Sequence, residues 1–293
     1  MTSTALALVL FAALCHASWN FAAKRAGGGN HFVLLGSLWV TLLWLPLALW
    51  IGVQGMAGWG WAEWLALAGS AVVHVFYFRT LLHGYAVSDL TVVYPVARGS
   101  GPLLSAVGAV VVLDERMSLL SAAGAAAVVG GVFLIAGGPA LWRQAHDPAR
   151  RERVRRGLRW GALTGTFIAG YTVIDGYAVK ALLISPILVD YFGNLLRVPL
   201  MLPFALRDRA GFAQACRTQW RAALVIALLG PLSYVMVLYA MRMAPLSHVA
   251  PAREVSMLFA ALLGGTLLGE GDRAVRLVGA ACIALGVAGL AFG

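Results

Sequence analysis

Long runs of apolar residues, broken by short charged or glycine-bearing turns, fill the sequence from end to end. None of them alternates polar and apolar positions, which excludes the strands of an outer-membrane barrel. A run of about 20 apolar residues crosses the hydrocarbon core of a bilayer as a helix. The pattern predicts ten spans, at 4–23, 32–53, 61–83, 90–113 and 118–138, then at 158–182, 185–206, 220–241, 247–268 and 274–292. One long polar stretch, PALWRQAHDPARRERVRRGLRW, separates the fifth from the sixth. The chain therefore divides into 1–138, a basic linker at 139–157, and 158–293. The expected fold is an all-α integral membrane protein.

The two divisions repeat one another. The stretch from Leu90 to Gly131, LTVVYPVARGSGPLLSAVGAVVVLDERMSLLSAAGAAAVVGG, returns in large part between His248 and Gly286. At an offset of 155, Arg98 falls on Arg253, Leu113 on Leu268, Glu115 on Glu270, Gly124 on Gly279 and Gly131 on Gly286. At an offset of 156, Ala13–Lys24 overlies Ala169–Lys180, ending on a lysine in both copies. Repetition at this scale points to duplication of one unit. Five spans per unit is an uneven number, so two units of one fold insert in opposite senses, as inverted repeats around a central cavity.

Composition agrees with lipid as the main solvent: 61% of the 293 residues are hydrophobic, 12% are charged, and the mean hydropathy is +0.83. A soluble domain of this size needs far more surface charge. The net charge of +10 does not imply nucleic acid, because the excess gathers between spans. With both termini outside, sixteen lysines and arginines fall in inner loops and three in outer ones, which places the linker in the cytoplasm. The first apolar run has no basic stretch before it and reads as a span, not a cleaved leader. Cys15, Cys216 and Cys282 are too far apart for a metal motif and read as packing residues. Neither a metal nor any other cofactor is expected.

Ionisable side chains at mid-membrane are costly, by about 2.5–3.5 kcal/mol or more, and so face a cavity or a partner. Here they are Asp175, Arg197, Arg98, Arg253, Glu254, His16, His74 and His248. Tyr94, Arg98 and Ser105 share a face of the fourth span, where Pro95 and Gly101–Pro102 should interrupt the helix. Arg98 then offers a fork to a carboxylate or phosphate, or pairs with Glu254 or Asp175. His74 and Tyr77 form a stripe on the third span, facing the fourth. Trp19 and Asn20 make a polar patch with His16 on the first, where Asn20 could also serve only to join helices. Tyr171 and Asp175 stack on the sixth span; Asp175 reads as a proton or amine site, or as the partner of Lys180. On the ninth, His248 shares a face with Ala252, and Arg253 and Glu254 point about 100° apart, too far to serve one partner. Arg197 with Asn194 lines the cavity or snorkels. Glu115 and Glu270 read as caps of the helices that follow them, and the paired glycines as close helix contacts.

The run from Tyr77 to Ser118, with its counterpart from Tyr234 to Gly271 (APLSHVAP and LLGGTLLGEG) and HASWNFAAK at the first span, resembles the drug/metabolite transporter superfamily, in its ten-helix EamA-like branch. Asp272 and the second glycine of GEG depart from the usual turn. The resemblance implies a basket of helices with the fifth and tenth spans packed outside it, and export across a bacterial inner membrane. The aromatic amino acid exporters of the branch are the nearest analogy. The residues and the resemblance together point to a secondary transporter working by alternating access on a small polar or zwitterionic metabolite, an amino acid first. The substrate-binding set is His74, Tyr77, Tyr94, Arg98, Trp19, Asn20, Tyr171, Asp175 and His248. The alternative is a membrane-embedded enzyme acting on a lipid-linked or small polar substrate. No GxxxxGK[ST], HExxH or GxSxG sequence supports ATP hydrolysis or such chemistry.

Overall fold

The computed structural model describes residues 1–26, 29–136, 150–263 and 273–293. Glu270, Gly271, Asp272 and most of the expected linker lie outside the described residues. Among the described residues every regular element is a helix. The first half holds α1 (Ser3–Ala26), α2 (Asn30–Gly55), α3 (Trp61–Val87), α4 (Leu90–Val112) and α5 (Leu119–Ile135). The second holds α6 (Arg151–Lys180), α7 (Pro186–Arg207), a short α8 (Arg209–Thr218), α9 (Trp220–Met243) and then a broken segment. That segment runs as α10 (Leu246–Ala252), a 3-10 turn (Arg253–Val255) and α11 (Ser256–Leu263), and α12 (Arg273–Phe292) closes the chain.

Seven of these helices, α1, α2, α3, α4, α7, α9 and α12, are long and apolar enough to cross a bilayer. The protein is a multi-pass, all-α membrane protein. The count of ten expected from hydropathy is not reached on that measure, for three local reasons. The helix α5 has 17 residues, about 26 Å of rise and short of the usual span. Helix α6 begins at Arg151 and carries five arginines through its first nine residues, which lowers its hydropathy. The ninth run is split by its 3-10 turn.

Packing pairs the halves crosswise. Helix α1 lies on α9 and α3 on α6; α2 meets α7, and α5 meets α12. Helix α4 lies along α6, while α11 lies along α1. The pairing of α5 with α12 shows why the repeated glycines are there. A Cβ on Gly124 would fall 2.7 Å from the Gly286 carbonyl, and one on Gly131 would fall 2.5 Å from that of Gly279. Backbones in such contact tolerate no side chain, and the register runs α5 antiparallel to α12. A second glycine ridge, Gly157, Gly161 and Gly165 on α6, sits against Ser88, Val96 and Ser100 at the near edge of α4. The spacing of four puts these glycines on one helix face, a pattern present in the sequence but not singled out from it. At the far ends, the Met1 ammonium donates to the Ala291 carbonyl at 2.6 Å, so the two termini share one face of the bundle.

The expected break in α4 does not occur. Pro95 and Pro102 lie within one continuous helix. Each proline removes a single backbone donor, and α6 supports the helix along its length. Ser100 and Ser105 turn their hydroxyls back onto the Val96 and Gly101 carbonyls. Only the second copy is interrupted, just beyond Pro251.

Candidate functional site

The polar residues of the interior gather around that interruption. Arg98 reaches across from α4 to the 3-10 turn, where its Nη2 lies 2.9 Å from Glu254 Oε2 and donates to Ser256 Oγ at 3.2 Å. From the other side Arg253 Nε lies 3.6 Å from Glu254 Oε1, and its Nη2 donates to Thr172 on α6 at 3.4 Å. The Glu254 side chain is 1% exposed, and those of Arg98 and Arg253 are 16% and 12% exposed, so all three charges sit inside the bundle. Arg98 and Arg253 are the two repeat-related arginines, and one carboxylate stands between them. Beyond their own contact, Glu254 turns to Arg98 and Arg253 to Thr172. Their directions diverge along the helix, but two long side chains in a tight turn still reach each other. The geometry selects Glu254, not Asp175, as the ion-pair partner of Arg98. Buried pairs of this kind cost about 3–5 kcal/mol to break by removing one member.

A second group lies one turn further along α6. Asp175 is 2% exposed, and the Tyr234 hydroxyl of α9 donates to its Oδ2 at 2.5 Å. Lys180, its other expected partner, pairs with Glu115 instead. The His74 ring stacks on Tyr171 with centroids 3.8 Å apart, and its Nδ1 donates to the Ser70 carbonyl at 2.9 Å. Tyr77 packs edge-on against Tyr171 at 5.7 Å. The stripe on α3 therefore faces α6, not α4 as expected, with both His74 and Tyr77 against Tyr171. Tyr94 donates to Met257 Sδ at 3.3 Å, joining α4 to α11. Trp19 stands edge-on to His16 at 4.9 Å, and its buried indole N–H has no hydrogen-bond partner among the described residues. Helix α1 also packs against the 3-10 turn, which brings the helix carrying this pair to the same cluster.

Two expected residues stand apart. Asn20 donates to the His16 carbonyl within its own helix. His248 bonds the Leu290 carbonyl of α12 at 3.0 Å, away from Arg98. One aspartate was missed: Asp175 is not alone inside a span, since Asp190 lies near the start of α7. Asn194 donates to its carbonyl oxygen and carboxylate, and Arg197 donates in turn to Asn194 while lying over the Phe78 ring at 5.3 Å. The spacing of 190, 194 and 197 puts all three on one face, which was the available signal.

Glu115 also departs from expectation. Ser118 caps α5, its Oγ accepting from Ser121 N–H. The Glu115 carboxylate instead takes the Leu246 and Ser247 N–H groups at 2.8 and 2.9 Å, capping α10 in the other half. Lys180 Nζ meets it at 2.5 Å. Burial works against the charge of Glu115, but the bonds from Lys180, Ser247 and Leu246 outweigh it and hold the carboxyl below its ordinary value. A cavity of about 590 Å³ opens elsewhere, between α2 and α7, and its lining from Leu45 to Leu195 carries no charge. Among the described residues no three His, Cys, Asp or Glu side chains converge as metal ligands.

The arrangement is a buried, charged, aromatic-walled junction between the two halves, carried on membrane helices. Residues 155–292 match the EamA-like transporter family. An EamA-like membrane domain therefore occupies the second part of the chain, and it contains Asp175, Tyr234, Arg253 and Glu254. No curated protein matches the chain in sequence. One solved crystal structure superposes on 100% of this chain and 98% of its own with a TM-score of 0.72 at 16% identity, which shows a shared fold for the EamA-like domain and the half before it.

Proposed function

We propose that the chain is a secondary transporter that moves a small polar metabolite bearing a carboxylate, an amino acid first, by alternating access. The observation that carries this reading is the meeting of repeat-related Arg98 and Arg253 at one buried carboxylate between the halves. Guanidinium forks recognise carboxylates in two-point geometry. Asp175 with Tyr234 supplies an acceptor for an ammonium group one turn away, and His74, Tyr77 and Tyr171 supply an aromatic wall. Tyr94 and Trp19 complete the binding set; Asn20 and His248 are its least supported members.

In this reading the protein makes ten crossings as two inverted five-helix repeats, 1–138 and 158–293, with a central cavity that opens to either face in turn. The antiparallel contact of Gly124 with Gly286 and Gly131 with Gly279 supports it, since an offset of 155 exchanges the two contacts. The other pairings, α1 on α9 with α3 on α6, exchange in the same way. Export across a bacterial inner membrane rests on the resemblance to the EamA-like exporters, and the excess of basic residues on one side supports periplasmic termini and a cytoplasmic 139–157 linker.

Proteoliposomes test this directly. Vesicles loaded with unlabelled amino acids should accumulate a labelled one from outside by counterflow, and the label should be recovered chemically unaltered. Absence of counterflow across a full amino acid and small-metabolite panel would remove the transport reading, and recovery of a covalently changed label would replace it with an enzyme.

A further inference from the structure

We infer that Glu254 is a built-in stand-in for the anionic group of the transported molecule. It neutralises Arg98 and Arg253 while the carrier is empty and gives way when a substrate carboxylate takes its place. The inference rests on the transport reading above and specifies how its site works.

Three observations lead here. The first is asymmetry within the repeat. Arg98 and Arg253 correspond at the offset of 155, but the counterpart of Glu254 is Gly99. Two arginines brought together by duplication thus share a carboxylate that only one half provides. The second is how Glu254 is held. Both its oxygens lie near guanidinium nitrogens, at 2.9 and 3.6 Å, yet neither has an aligned hydrogen bond among the described residues. Arg98 Nε is likewise buried without a partner. Charge holds the carboxylate there, and its directional bonding capacity is unspent, as is that of Arg98 Nε; Arg98 Nη2 is already given to Ser256. A free carboxylate able to align with the fork would bond better than Glu254 does. The third is position. Glu254 is the middle residue of the 3-10 turn between α10 and α11, a joint in an otherwise helical segment, where a small backbone rotation redirects one side chain.

Electrostatics then sets the cycle. Two buried guanidiniums need a counter-charge in every state that crosses the membrane interior. Glu254 supplies it in the empty carrier and the substrate supplies it in the loaded one. Without Glu254 the loaded carrier still reorients, but the empty carrier is trapped.

Two measurements decide this. In the first, Glu254→Gln is reconstituted with a 14C-labelled mixture of the twenty standard amino acids inside the vesicles. Exchange against the same unlabelled mixture outside is compared with net efflux into buffer. Net efflux should fall at least tenfold more than exchange; an equal fall in both, or loss of both to the background of empty liposomes, overturns the proposal. The second needs no transport. The melting temperature of purified Glu254→Ala is read in sodium formate against sodium chloride at equal ionic strength. Formate should refill the vacated carboxylate position and raise the melting temperature of this variant but not of the wild type. No selective rise overturns the proposal. Recovery of folded Glu254→Ala only when formate is present counts as the expected result, and failure to fold in either salt counts against it. Selective stabilisation by formate with no wild-type counterflow would show that the site accepts a free carboxylate in place of Glu254, while removing the transport reading and the stand-in role with it.

Discussion

Glu115 shows how much one side chain can do outside the membrane interior. It lies in a turn of the first half, yet it caps α10 and pairs with Lys180, both in the second half. Its carboxyl is held below the ordinary value of 4.5, so its contribution to stability is complete above that value and is lost as the pH falls through the lowered one. Glu115→Gln keeps the shape and removes the charge. It should cost about 1–3 kcal/mol at neutral pH, the range for bonds to a charged group. Melting in detergent across pH should show the wild type losing its advantage over the variant on acidification; an advantage that grows as the pH falls would refute this assignment. The sequence marked Glu115 as a cap of the helix that follows it, and the structure gives it a helix of the other half instead. The nearest N-terminus in sequence is satisfied by Ser118, and the Leu246 N–H is a neighbour only after folding. The same limit hid the bridging role of Glu254, because contact between side chains on separate helices is set by packing and not by periodicity.

At the scale of elements, the glycines are the clearest case of sequence and structure agreeing. Gly124 and Gly131, with Gly279 and Gly286, were legible as one face of two helices, and they are the surface on which α5 and α12 touch. Gly130 is the internal control, since a Cβ there would meet nothing within 4 Å. Gly131→Val should destabilise by about 1–3 kcal/mol or more through overpacking. Gly130→Ala should be neutral or slightly stabilising, as for an open helical position. Thermal unfolding of both variants checks this, and equal effects would mean that the helices are not in backbone contact. The ninth segment was the least legible. Its Pro251 answers Pro95 of α4 once one residue is gapped, and nothing answers Pro102, yet only the second copy breaks into a 3-10 turn. The two prolines cost α4 two backbone donors, and it keeps its course because α6 lies against it, through Gly157, Gly161 and Gly165 near its start and through Ile168 and Val173 beyond.

Over the whole molecule, the pairings exchange halves as a two-fold arrangement requires, and the ends of the chain fix its faces. Met1 touches Ala291, while His31 pairs with Asp208 at 2.9 Å and Asp89 with Arg153 at 3.1 Å where other helices begin and end. A membrane-impermeant thiol reagent applied to right-side-out cells should label Ser3→Cys, in a background lacking the native cysteines, and should not label Arg209→Cys. Labelling of both from one side would contradict the proposed crossings. The overall class and most helix positions were readable from hydropathy and spacing. The number of apolar spans was not, because α6 carries its charges inside the helix and α5 is short.

The most direct test of the central claim is counterflow of labelled amino acids in proteoliposomes carrying Arg98→Ala or Arg253→Ala, beside Arg207→Ala on the exposed end of α7 as a control. Removing either repeat-related arginine should reduce counterflow at least tenfold while the protein remains folded in the membrane, and the control should keep its rate. Full counterflow in both interior variants would show that the junction at Glu254 is not where the transported molecule binds.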